Sequence, residues 1–204
     1  LADSPSWTAG DQEALQAWFG QLLSWLRESP QGQMESRATN NHGSWYDAQV
    51  VCYALFTGQG DIAAQVVAKS TKARIASQVA PDGRQPEELT RTRSFDYSNF
   101  NLEALFQLAT LGDHAGVDLW SYQTADGRSI RRALDFLVPY IGGATPWLYP
   151  QTASINFFAE TAPLLARAAK AYPDGSYGQV LAQLVRGQKA LPLLKLHLGA
   201  WKLE

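Results

Sequence analysis

The sequence predicts an all-α protein built from antiparallel helical hairpins. Apolar residues recur at steps of three and four along most of the chain, as they do on one face of a helix. Alternating runs of β-branched residues between hairpin turns are nearly absent, so strands are not expected. Successive helices of about 12 to 18 residues joined by loops are expected to pack side by side.

Capping and breaking residues set the expected ends of these helices. Gly58 is expected just after the second helix, and Gly112 is expected to break the fourth. Ser129 can cap the N-terminus of the fifth helix, which the Gly142-Gly143 pair stops. The predicted helices span about 11–28, 44–57, 61–79, 97–111, 129–140, 153–171 and 176–188.

Composition indicates one folded domain and excludes some classes of partner. The chain has 204 residues, of which 46% are hydrophobic and 18% charged, unlike a disordered segment. The formal net charge is −2, so no global basic field would attract nucleic acid or an acidic membrane face. An anionic ligand must therefore meet a local cluster of cations.

A single cysteine limits the possible covalent and metal chemistry. Cys52 has no partner for an intrachain disulfide, and no zinc site built on cysteines is possible. It lies in the apolar run at 50–56, which predicts a buried side chain.

The densest polar stretch is the sequence NNHGSWYD at residues 40–47, at the mouth of the second predicted helix. The amides of Asn40 and Asn41 and the imidazole of His42 lie near backbone N–H groups at the positive end of a helix dipole. That is a natural place for a carboxylate. The alternative is an asparagine cap beside a hydrogen-bonded histidine.

A second polar stretch, PEELTRTRSFDYSNFNL, occupies residues 86–102. Arg91 and Arg93 can recognise a carboxylate through two parallel hydrogen bonds, and the phenol of Tyr97 can transfer a proton. The alternative is a loop in which Glu87 and Glu88 form weak salt bridges with the arginines.

Together the two stretches resemble the alginate lyase family of polysaccharide lyases and related glucuronan- and mannuronan-cleaving enzymes on α/α toroids. NNHGSWYD is similar to the family's Asn-Asn-His motif. PEELTRTRSFDYSNFNL is similar to its second motif, Glu-Leu-x-Arg followed by Tyr-x-Asn and an aromatic residue. The resemblance covers roughly 37–150. It implies an incomplete (α/α) toroid, with 1–204 forming one domain that lacks the N-terminal part of the ring.

The resemblance also implies a chemistry and a set of residues. Asn41, His42, Arg91 and Tyr97 match the catalytic residues for β-elimination from an anionic polysaccharide, with no cofactor or metal required. Asn41, Arg91 and His42 would neutralise the uronate carboxylate, Tyr97 or His42 would take the C5 proton, and Tyr97 would protonate the departing O4. Asp47 is expected to orient His42 or cap the helix. The expected substrate-binding residues are Asn40, Trp45, Tyr46, Gln49, Gln85, Glu88, Arg93, Asn101 and Trp147.

One departure from the family pattern bears on the substrate. Tyr97 follows Arg91 by six positions, one fewer than in the alginate-specific branch that the sequence resembles, and Ser98 stands where that branch has histidine. This favours a sister branch of the family, and the expected substrate is alginate or mannuronan, or else glucuronan.

Two other functions stay open from the sequence. A glycoside hydrolase on a similar scaffold could use Asp82, Glu87 or Glu88 as paired carboxylates. A non-catalytic glycan-binding domain is favoured by size, because toroids of this family usually need more helices than 204 residues provide. The chain starts at leucine, so we expect a signal peptide upstream and a periplasmic or secreted location.

Overall fold

The computed structural model describes residues 4–186, which form helices joined by loops and contain no strand. One isolated bridge links Arg93 with Gln151. This confirms the prediction of an all-α protein. The helices are α1 Ala9–Glu28, α2 Pro30–Ser36, α3 Asn41–Phe56, α4 Gly60–Gln65, a π-helical segment Val66–Thr71, α5 Lys72–Gln78, α6 Pro86–Leu89, α7 Ser94–His114, α8 Ile130–Leu137 with a 3-10 turn Val138–Tyr140, α9 Phe157–Ala171 and α10 Tyr177–Val185.

The core is built around α7, which packs against α3, α6, α8 and α9. Leu102, Leu105 and Phe106 of α7 are completely buried, and Val51 and Ala54 of α3 meet the same core. Because both helices are buried along much of their length, the relative position of their N-termini is fixed by packing.

Helices α3 and α7 each begin three residues earlier than predicted because the motif residues themselves are helical. Asn40 caps α3, its side-chain oxygen accepting a hydrogen bond from the His42 N–H at 3.2 Å. Gly58, at φ +74°, follows the end of α3 as predicted. The segment predicted as one helix at 61–79 is interrupted by the π-helical turns at Val66–Thr71. The predicted end of the last helix lies outside the described residues.

Two other expectations were wrong. Gly112 does not break α7, which continues to His114. A Cβ atom there would meet the carbonyl oxygen of Val117 at 2.6 Å, so glycine allows the returning backbone to approach the helix. Cys52 is exposed, because it lies on the side of α3 away from the buried Val51 and Ala54.

Close contacts at two glycines fix the positions of α2 and of the loop before α3. A Cβ atom on Gly32 would overlap the backbone of Leu26 in α1, and one on Gly43 would overlap the Arg74 guanidinium. Arg74 passes under the loop and donates to the carbonyl of Ala38 at 3.0 Å and that of Ser36 at 2.7 Å. These two hydrogen bonds from Arg74 therefore hold the loop that precedes the Asn-Asn-His motif in place.

None of the helices within residues 4–186 is both long and apolar enough to cross a membrane.

We predict that Gly32→Ala destabilises the protein by about 1 to 3 kcal/mol, because the new methyl group has no room against the Leu26 backbone. Gly20→Ala is the matched control, since a Cβ there meets nothing within 4 Å; helix propensity should make it neutral or stabilising by up to about 1 kcal/mol. Urea unfolding of both variants measures the difference. Equal stabilities would contradict the packing of α2 described above.

Candidate active site

The two polar motifs are joined by one buried carboxylate. Glu88 of α6 is 1% exposed and accepts the Asn41 backbone N–H at 2.6 Å. The Asn41 side-chain Nδ2 lies 3.0 and 2.9 Å from the two Glu88 oxygens. The N-terminus of α3 is thus held against the segment that leads into α7, although 47 positions separate the two residues in sequence.

Burial raises the pKa of the Glu88 carboxyl above its ordinary value, while the hydrogen bonds from Asn41 and the cation of Arg91 act in the opposite direction. Arg91 Nη1 lies 4.0 Å from Glu88 Oε2. A buried carboxylate of this kind is stable only because its partners satisfy it.

A network of amides lies beneath the same region. Gln85 donates to the Ser98 carbonyl at 2.9 Å, and Asn101 donates to Gln85 at 2.8 Å and to Gln78 at 3.1 Å. Gln85, Glu88 and Asn101 are almost completely buried, so they lie below the surface where substrate contacts were expected. Their hydrogen bonds to the protein indicate a supporting position.

The backbone N–H groups at the mouth of α3 are occupied. Glu88 accepts from the Asn41 N–H and the Asn40 side chain accepts from the His42 N–H. The mouth of α3 is thus a place for a carboxylate, and the protein's own Glu88 takes that position at the Asn41 N–H.

A cavity of about 410 Å³, here called the groove, lies above this layer. His42 of the first motif and Tyr97 of the second both line it, together with Asn41. The two motifs therefore face a common space. The other lining residues are Leu26, Glu35, Trp45, Tyr46, Gln49 and Phe100.

The His42 ring is oriented by Glu35 of α2, whose Oε2 lies 2.9 Å from Nδ1. Asp47, which was expected to orient His42 or to cap the helix, does neither. It is buried and pairs with Arg74, with Arg74 Nε 2.7 Å from Asp47 Oδ2. Burial raises the pKa of the Asp47 carboxyl, and the Arg74 hydrogen bond partly offsets this.

Arg91 lies against Tyr97. Its guanidinium carbon is 3.8 Å from the centre of the phenol ring, a cation–π stack. Arg91 is not among the residues that line the groove; it stacks on Tyr97, which does line it, and lies 4.0 Å from Glu88.

A second cavity of about 230 Å³, here called the groove extension, shares Tyr97 and Phe100 with the groove. Arg93 lines it and pairs with Asp96 at 2.6 Å. Glu160 lies on the same wall, and burial followed by the charge of Asp96 raises the pKa of its carboxyl. Of the predicted substrate-binding residues, Arg93 lies here and Trp45, Tyr46 and Gln49 line the groove.

Trp147 does not reach either cavity. Its indole nitrogen donates to Ser94 Oγ at 2.8 Å, and its ring packs edge-on against Phe95 and Tyr140 at 5.2 and 4.9 Å between ring centres. This tryptophan is part of an aromatic cluster that supports the start of α7, and its contact with substrate stays a prediction. Asn40 serves as the helix cap described above.

Sequence reasoning did not identify Glu35 and Phe100. Phe100 follows Tyr97 by three positions on α7, a spacing that places both on one helix face and could have predicted it. Glu35 lies on another helix, and no spacing in the sequence connects it with His42. No group of three His, Cys, Asp or Glu side chains within residues 4–186 is arranged to hold a metal ion; that the chemistry needs no metal stays a prediction.

Comparison with known proteins identifies the protein family. A crystal structure of an alginate lyase from Bacteroides ovatus matches with a TM-score of 0.85 and 36% sequence identity. The match covers 89% of this chain and 48% of the other, which confirms the α/α fold class. The family model for alginate lyase matches residues 1–147, and the chain therefore belongs to the alginate lyase family.

The chain spans about half the length of the Bacteroides ovatus protein. No curated protein matched the sequence. That the chain forms one domain lacking part of the ring stays a prediction.

We predict that Glu88→Ala lowers the free energy of unfolding by about 2 to 4 kcal/mol, because it leaves the buried N–H donors of Asn41 without an acceptor. Its neighbour Glu87 is exposed, so Glu87→Ala should stay within about 0.5 kcal/mol of the parent protein. Chemical unfolding followed by circular dichroism compares the two. Similar values for both variants would show that Glu88 does not hold the motifs together.

Proposed function

We propose that the protein is a polysaccharide lyase that cleaves glycans containing uronic acid by β-elimination. The observation that carries the proposal is the groove, in which His42 from α3 and Tyr97 from α7 line one cavity. Membership of the alginate lyase family supports the same reaction class.

The elimination needs a base and an acid beside one sugar. A base takes the proton from C5, the electrons form the C4–C5 double bond, and the C4–O4 bond breaks as O4 receives a proton. In the proposed arrangement Tyr97 or His42 takes the C5 proton, and Tyr97 protonates O4. Which of the two acts as the base depends on the sugar face that carries H5.

The C6 carboxylate must be neutralised, because the C5 proton is poorly acidic while that group is charged. His42 presents an imidazole directly in the groove, and when Tyr97 is the base a protonated His42 ring can donate to the carboxylate. Asn41 lines the groove beside it, but Glu88 takes its backbone and side-chain N–H groups, so Asn41 supports His42 and does not itself bind the carboxylate. Arg91 supplies positive charge against the Tyr97 ring, 3.8 Å from its centre. Charges and dipoles already in position are the main source of transition-state stabilisation in reactions of this kind.

Neighbouring sugars would lie along the walls of the groove and its extension. Trp45 and Phe100 pack with ring centres 5.0 Å apart, and Phe100 is 42% exposed. They offer an aromatic surface for a sugar face, while Tyr46 and Gln49 offer hydrogen bonds. In the extension, Arg93 is the lining cation that an adjoining uronate would meet.

The glycoside hydrolase alternative loses the carboxylates on which it rested. Asp82 pairs with Arg84 at 2.7 Å, and both side chains are half exposed. Glu88 is buried against Asn41. Asp82, Glu88 and the exposed Glu87 are all absent from the lining of the groove and its extension, so no two of them can flank a glycosidic bond there. The glycan-binding alternative is separated from the lyase by measuring turnover.

We predict that Tyr97→Phe lowers activity at least about a hundredfold, because the variant cannot transfer a proton to O4. The assay follows the ultraviolet absorbance of the unsaturated product on mannuronan, guluronan, glucuronan and hyaluronan. Tyr53→Phe is the control, since Tyr53 packs against Phe19 and does not line the groove.

Retained activity in Tyr97→Phe would remove Tyr97 from the mechanism. New reducing ends without ultraviolet absorbance would indicate hydrolysis, and binding of a glycan without turnover would favour the glycan-binding domain. Either result would overturn the proposed function.

A further inference from the structure

We infer that Glu35 is a positioning residue that fixes the proton of the neutral His42 ring on Nδ1 and leaves Nε2 free to act in the groove. The inference rests on the proposed function for its catalytic meaning, but its structural content can be tested without turnover.

His42 depends on this one contact for its orientation. Its side chain is 55% exposed, and among the described residues the ring makes a single hydrogen bond, with Glu35 Oε2 at 2.9 Å. An exposed imidazole without such a contact samples several rotamers and both tautomers.

The partner decides the tautomer. An ionised carboxylate can only accept hydrogen bonds, so Nδ1 must carry the proton that joins the two groups. In the neutral ring Nε2 then keeps its lone pair and can accept a proton. In hydrolases with a Ser-His-Asp triad, a carboxylate likewise accepts from Nδ1–H while Nε2 acts as the base.

The fold places Glu35 with some precision. Ser29 caps α2 by accepting the Gly32 N–H at 3.0 Å, and Gly32 lets the helix approach the Leu26 backbone closely. On the other side of Glu35, the Ser36 carbonyl accepts from Arg74 at 2.7 Å. The backbone is thus held on both sides of the residue that contacts His42.

The charge of Glu35 would otherwise be unfavourable in this place. Glu35 lines the groove and its side chain is 41% exposed, so it repels the carboxylates of a polyuronate. The hydrogen bond to the His42 imidazole gives Glu35 a role in a groove that is proposed to bind anionic glycans.

The test measures the ring nitrogens directly. Nitrogen-15 chemical shifts of His42, assigned by comparison with His42→Asn, report which nitrogen carries the proton above neutral pH. We expect the Nδ1–H tautomer in the parent protein and a shift towards Nε2–H in Glu35→Ala. Glu28→Ala is the control, since it removes an exposed carboxylate at the end of α1 that does not line the groove. An Nε2–H tautomer in the parent protein, or no change in Glu35→Ala, overturns the inference.

Kinetics test the catalytic meaning. Glu35→Ala should lower kcat by about tenfold or more, with KM changed far less, because the base is misplaced rather than the substrate lost. Glu35→Gln should recover part of kcat, since its carbonyl can accept from Nδ1–H. A kcat for Glu35→Ala equal to that of Glu28→Ala would overturn the positioning role. The parent protein could cleave no glycan and yet show an Nδ1–H tautomer that changes in Glu35→Ala. That result would overturn the proposed function and would still support the positioning of His42 by Glu35.

Discussion

The candidate active site depends on the hydrogen bonds between the buried carboxylate of Glu88 and Asn41. Glu88 sits at the positive end of α3, where a carboxylate is favoured, and burial makes its partners indispensable. Asn41 is the first residue of α3, and Glu88 lies in α6, just before α7. Their contact therefore sets the distance between the two motifs. His42, the next residue of α3, lies on the exposed side of the helix.

Two layers follow from that arrangement. The lower layer consists of buried polar groups that are bonded to one another, among them Gln85 and Asn101. The upper layer carries His42 and Tyr97, the side chains proposed to move protons, and each contacts one charged partner: Glu35 for the imidazole and Arg91 for the phenol. Acid–base chemistry requires such a division, because a side chain that moves a proton must be accessible while its support is rigid.

Much of this was available from the sequence. Helical periodicity and glycine stops predicted the all-α fold, and the two motifs predicted that His42 and Tyr97 belong to one site, which the shared groove matches. The depth of each residue could not be predicted, since Glu88 and Arg93 occur in one polar stretch yet the first is buried and the second exposed. Trp147 shows the same limit, because composition does not distinguish an aromatic platform from an aromatic core.

The most direct test of the account is a crystal structure of the Tyr97→Phe variant with a uronic-acid oligosaccharide. The account predicts one sugar ring between His42 and residue 97, with its C5 within reach of one of them. A sugar bound only in another cavity, or one that contacts neither His42 nor residue 97, would contradict it.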